Sequence, residues 1–170
     1  MHNYIIVIDS GPIIHISQID TDFVWKIFPK VYVPDIVHME VTKFSLPGSD
    51  IFKDKRFKIN TSNKNILEKA KKLHKKYEMG KNDSIILAHA KSLKADFLLT
   101  DDLELRKVSS NEKIKPVGSV GILYKSFIEG NCDLKQLFKH LDSLFSKSSL
   151  YITKDLIQLV KNSALDYNKK

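Results

Sequence analysis

Tyr4-Ile5-Ile6-Val7-Ile8-Asp9, read with Phe97-Leu98-Leu99-Thr100-Asp101-Asp102, carries the architectural information of this chain. Neither apolar run alternates with polar residues, which is the pattern of strands covered on both faces in a parallel sheet. Helical periodicities fill the sequence between the two runs, so the chain reads as α/β with a mainly parallel central sheet. Both runs close on acids. In open parallel sheets ligands bind outside the carboxyl ends of the strands, which puts Asp9 and the Asp101-Asp102 pair on one edge, where they can share a ligand.

Outward from these runs, Gly11-Pro12 stops the first strand and opens a short helix, leaving Asp9 and Ser10 at a strand-to-helix turn. The stretch Asp22 to Phe28 reads as helical, Val31-Tyr32-Val33 as a second strand, and Pro34-Asp35 as the start of a helix to about Phe44. Ile36, Val37, Val41 and Phe44 form that helix's apolar stripe, and Glu40 falls on or beside it, where a solvated glutamate has no reason to be. Phe57 to Ile59 suits a short edge strand. Ser62 or Asn63 caps a long helix to Tyr77, with Ile66, Leu67, Ala70, Leu73 and Tyr77 inward and lysines outward. Gly80-Lys81-Asn82-Asp83 separates it from a second helix that is apolar on most sides, and Asp83 reads first as that helix's N-cap. A helix to about Ser110 follows Asp102, then the strand Ile114 to Val117, which Pro116 assigns to a sheet edge. Apolar spacing predicts further helices within Gly118 to Gly130, from Leu134 to Phe145, and from about Lys154 to Leu165.

A length of 170 residues with 42% hydrophobic content suits one domain. Within it, residues 1–130 form the α/β body and residues 131–170 a helical extension packed on the same domain. The net charge of +8 is almost entirely lysine, with Arg56 and Arg106 the two arginines. Flexible point charges attract a polyanion without the bidentate fork that reads base edges, so a nucleic-acid backbone is a better partner than a specific duplex sequence. Lys71, Lys72, Lys75 and Lys81 are the candidates for tracking phosphates, against the plainer reading of a solvated helix face. Cys132 is the single cysteine, which excludes an intramolecular disulfide and any Cys-His metal array. No apolar run suits a signal peptide or a membrane span, so a soluble protein of the reducing cytoplasm is expected, with no membrane partner.

Several convergent carboxylates repel one another unless their pKa values rise or a cation balances them. An all-oxygen set without thiolates suits Mg²⁺ or Mn²⁺. Acids of this kind in a basic protein point to phosphodiester hydrolysis, with lysines holding the flanking backbone. Competing phosphate chemistries lack their residues: Gly11 stands where a haloacid-dehalogenase-like enzyme needs a second Asp, and neither a Walker A loop nor a GxGxxG fingerprint occurs.

The segments Ile6-Val7-Ile8-Asp9-Ser10-Gly11-Pro12-Ile13-Ile14, Val31 through Val41, Asp83-Ser84-Ile85-Ile86-Leu87-Ala88 and Ala95 through Asp102 resemble, in order, those of PIN domains, the fold of VapC toxins. The resemblance is to an uncharacterised PIN subfamily with a longer C-terminal helical region. It implies a three-layer α/β/α sandwich and a metal-dependent endoribonuclease leaving 5′-phosphate and 3′-hydroxyl ends. By the resemblance Asp9, Glu40, Asp83 and Asp102 are the catalytic and Mg²⁺- or Mn²⁺-binding acids. Asp101 is the alternative to Asp102, and Ser10 and Thr100 are supporting residues. The same resemblance implies an RNA substrate, an antitoxin partner that blocks the acidic pocket, and a homodimer. Lys81 departs from the subfamily, which tends to carry a glutamate after the glycine corresponding to Gly80.

That departure keeps a second class of function in view, a PIN-fold module that binds RNA or protein without cutting. The histidines at 15, 38, 74, 89 and 140 lie outside any zinc motif and read as ordinary structural residues. Trp25 and Phe28 read as core on a short helix rather than as a base-stacking platform.

Overall fold

The computed structural model describes residues 4–169. Five parallel strands, β1 (Ile6–Ile8), β2 (Val31–Pro34), β3 (Phe57–Asn60), β4 (Phe97–Leu99) and β5 (Lys115–Val117), lie in the order β3-β2-β1-β4-β5. All three residues of β1 are buried, as a central strand requires. Phe57 to Asn60 and Pro116 fall on the two edge strands; at an edge, proline's missing N–H breaks no ladder bond on its open side.

The chain runs outward from β1 through α1 (Ser10–Ser17) to β2, then through α2 (Asp35–Lys43) to β3. It crosses back through α3 (Lys64–Tyr77) and α4 (Lys81–Leu93) to β4, and continues through α5 (Leu103–Asn111) to β5. Reversing the winding direction between β1 and β4 with right-handed connections puts the early and late helices on opposite faces. The result is the expected α/β/α sandwich with a crevice at the β1/β4 carboxyl ends. Three further helices follow: α6 (Ser119–Ile128), α7 (Leu134–Lys147) and α8 (Lys154–Asn168). Leu137, Leu141 and Leu144 of α7 are fully buried, and Ile157 and Ala164 anchor α8. An Asp133/Gln136 capping box starts α7 and Thr153 caps α8.

Several sequence expectations change in detail. Asp22–Ile27 is a 3₁₀ helix, with Trp25 and Phe28 in the core. Asn63, not Ser62, caps α3 by accepting from the Ile66 amide. Phe44 leaves the apolar stripe: it is the C-cap after the last turn of α2 and is 64% exposed, and the chain turns at Ser45, which has positive φ. Leu67 likewise lies on the outer flank of α3, 41% exposed.

A polar chain centred on the buried His89 joins the elements that bear Glu40 and Asp83. Asn60 Nδ2 donates to His89 Nδ1 at 2.8 Å, so the His89 proton sits on Nε2 and is donated to Ser62 Oγ at 2.9 Å. Ser62 Oγ in turn donates to Asp35 Oδ1 at 2.6 Å, and the Ser62 amide to Asp35 Oδ2 at 2.8 Å. His89 is fully buried on α4, and burial pushes its pKa down against the pull of Asp35. Ser62 is the shared link, so Ser62→Ala leaves a buried imidazole N–H without its acceptor. A loss of about 1–3 kcal/mol in urea-unfolding stability is expected. An unchanged unfolding midpoint would show that the chain does not tie β3, α2 and α4 together.

Candidate active site

The parallel register places the site. Ile8 pairs with Leu99, and the Asp9 amide donates to the Leu99 carbonyl at 2.9 Å, so Asp9 sits one residue beyond the ladder. Its carboxylate turns back to cap α1: Oδ1 accepts from the Ser10 amide at 2.6 Å, with Ser10 Oγ at 3.4 Å. Oδ2 accepts from Thr100 Oγ1 at 2.8 Å, and Thr100 Oγ1 itself accepts from the Asp102 amide at 3.2 Å. A single buried hydroxyl therefore ties the ends of β1 and β4 together. Burial is the main reason the Asp9 pKa rises to about 6; the two hydrogen bonds oppose it, and the charges of Asp83 and Glu40 add to it.

Asp9, Ser10 and Asp102 line an open cleft of about 700 Å³. Glu40 enters it from α2, half-buried, and Asp83 from the first turn of α4. The expectation that Asp83 caps α4 is corrected here: the N-cap is Gly80, and Asp83 is the third residue inside the helix. A Cβ on Gly80 would lie 2.7 Å from Asp83 Oδ2, so the missing side chain is what makes room for the carboxylate. Burial, then the charges of Asp102, Glu104 and Glu40, raise the Asp83 pKa.

The adjacent acids Asp101 and Asp102 differ in their work. Asp101 Oδ1 accepts from the Ser119 amide at 2.7 Å, and Oδ2 accepts from Ser119 Oγ at 2.6 Å and His15 Nδ1 at 2.8 Å. Both oxygens thus hold the start of α6 against α1. Asp102 caps α5 through Oδ1, which accepts from the Leu105 amide at 2.6 Å, and its charge acts on Asp83.

Five acids, Asp9, Glu40, Asp83, Asp102 and Glu104, therefore belong to one electrostatic set. Their all-oxygen chemistry and mutual repulsion fit a hard divalent cation. Among the described residues no group of three His, Cys, Asp or Glu side chains is close enough to hold one ion as it stands. A hard cation such as Mg²⁺ usually keeps several waters and takes only one or two carboxylates from a protein, which is compatible with this spacing.

A family model of the PIN domain matches residues 5–165. The chain belongs to the PIN-domain family. No curated protein matches it. PIN domains are in general nucleases that use divalent metals, and the nuclease-type fold of this one places its acids at the topological switch point. No helix among the described residues is long and apolar enough to cross a membrane.

The lysines divide. Lys71 and Lys81 share a groove between α3 and the start of α4, next to Asp83 in sequence, whereas Lys72 and Lys75 are exposed on α3 and line neither that groove nor the acidic cleft. Glu104 and Ser119 escaped the sequence reading, and His15, read as an ordinary structural residue, was not paired there with Asp101. Glu104 looks like an ordinary first-turn helix acid, and the partners of Asp101 come from segments 86 and 18 residues away.

The raised Asp9 pKa has a thermodynamic consequence. Between the ordinary value of 3.8 and about 6 the native state holds a proton that the unfolded state has lost, so stability falls as pH rises through that window. In EDTA at pH 7.5, Asp9→Asn is expected to be about 1–3 kcal/mol more stable than the parent PIN domain. Its advantage should shrink toward pH 4. Parallel stability curves for the two proteins across pH 4 to 7.5 would contradict the buried-charge account.

Proposed function

We propose that this PIN domain is a metal-dependent endoribonuclease that hydrolyses RNA phosphodiester bonds. The observation that carries the reading is the buried Asp9 at the β1/β4 switch point, electrostatically joined to Glu40 and Asp83 in an open cleft. Asp9, Glu40, Asp83 and Asp102 would hold Mg²⁺ or Mn²⁺, which when bound supplies a nucleophilic water at neutral pH and offsets charge on the phosphate. Thr100 and the Ser10 amide orient Asp9, and Gly80 leaves space for Asp83. Lys71 and Lys81, in the groove between α3 and the start of α4, would serve as contacts for the RNA backbone.

The resemblance to VapC extends the proposal to a cytoplasmic toxin with an antitoxin partner and a homodimeric state. A neighbouring short reading frame encoding a DNA-binding head and an amphipathic tail is the observation that would support that role.

Cleavage of end-labelled single-stranded and structured RNAs with Mn²⁺, Mg²⁺ or EDTA tests the enzyme directly. Metal-dependent cutting is expected, reduced about 100-fold or more by Asp9→Asn, the scale on which removing a positioned charged group registers. RNA binding without cutting, unchanged by EDTA or by the substitution, would instead make the chain a non-catalytic binding module.

The Asp101-Asp102 pair provides a second, sharper test. Asp102→Asn should lose cleavage while retaining its fold. Asp101→Asn should lose about 1–3 kcal/mol of stability through the α6 and His15 contacts, yet still cut RNA at a temperature where it is folded. The reverse outcome would exchange the two roles.

A further inference from the structure

The two most exposed large apolar side chains among the described residues, Tyr151 at 90% and Leu103 at 80%, both stand on the wall of the acidic cleft. Leu103 follows Asp102 at the start of α5, and Tyr151 comes from the connector between α7 and α8. That connector is fastened on either side of the tyrosine. Gln18 Oε1 accepts from the Ser149 amide at 2.8 Å and from Ser149 Oγ at 3.1 Å, Ser148 Oγ accepts from the Leu150 amide at 3.3 Å, and Thr153 caps α8. Tyr151 is thus held out at the cleft rim by an anchored segment.

Across Tyr151 and Leu103 the cleft adjoins a second cavity of about 550 Å³, walled by Val117, Val120, Ile152 and Val160. Arg106 also lines it, with Nη1 donating to the Thr100 carbonyl at 3.3 Å. An acidic cleft and an apolar, arginine-bearing cavity thereby share one wall.

We propose that Tyr151 and Leu103 form a stacking subsite for a nucleobase of single-stranded RNA next to the phosphodiester held in the acidic cleft. The proposal rests on the nuclease reading and specifies its substrate class. An aromatic face and an aliphatic flank offer nothing to a phosphate but stack any base, so the subsite is tolerant of sequence. Bases paired in an A-form duplex are not open to such a face, so unpaired nucleotides are selected. A fastened connector presents the ring without the ordering cost of a mobile loop.

The test separates stacking from cutting. Binding of a short fluorescein-labelled single-stranded RNA is measured in EDTA on the Asp9→Asn chain, with and without Tyr151→Ala or Tyr151→Phe, and cleavage kinetics are measured on the Asp9-containing chains. Tyr151→Ala should weaken binding about 5- to 150-fold, the range for losing one stacked base. The loss in cleavage should appear in KM rather than kcat. Tyr151→Phe should stay within about twofold, and hybridising the RNA to its complement should abolish the difference between Tyr and Ala.

Unchanged RNA affinity in Tyr151→Ala overturns the subsite and leaves the shelf to a protein partner, even if the PIN domain cuts RNA normally. Weakened binding in a chain that cuts no RNA supports the stacking shelf and removes only the nuclease.

Discussion

Everything in the site follows from burying one carboxylate at the end of the central strand. Asp9 must be desolvated, because β1 is covered on both faces and paired on both edges, and its carboxylate is satisfied by one amide and one hydroxyl. Those two bonds do not offset the loss of water, so the native state favours the protonated form at weakly acidic pH. A protein that keeps an acid there loses stability at neutral pH. A cation bound to Asp9, as proposed, would offset that loss, the exchange of stability for a reactive site seen where local rules are broken.

Helix termini arrange the other acids around it. Asp9 and Asp102 each use one oxygen to cap a helix, while Asp101 spends both oxygens on the start of α6 and on His15. Asp83 is freed from capping because Gly80 takes that position. Glu40 is brought in by the tie between α2 and α4 through Asp35, Ser62 and His89. The site is therefore assembled by polar contacts between elements far apart in sequence, on a sheet assembled by apolar ones.

The sheet was legible because it is written in local pattern. Unbroken apolar runs marked the buried strands β1 and β4, Pro116 marked an edge, and helical periodicity located most of the helices. Asp9, Glu40 and Asp102 stood out because each interrupts or closes an apolar pattern where a charge is out of place. The capping of α4 misled, since an acid near a helix start reads as a cap whenever glycine is ranked below it; the deciding fact was the space that glycine leaves for the carboxylate. Phe44 misled because stripe counting carried the helix one residue too far: α2 ends at Lys43 and Phe44 is its exposed cap. Glu104, the Asp101 contacts and Tyr151 had no local signal at all. Each depends on which distant segment lies opposite, and that is a property of the assembled domain.

The most direct test of a cation-completed acidic centre is calorimetric titration of the RNA-free protein with Mn²⁺ at pH 7. This account predicts saturable binding that disappears in Asp9→Asn. Binding of equal strength in both proteins, or no saturable binding to the parent chain, would contradict it.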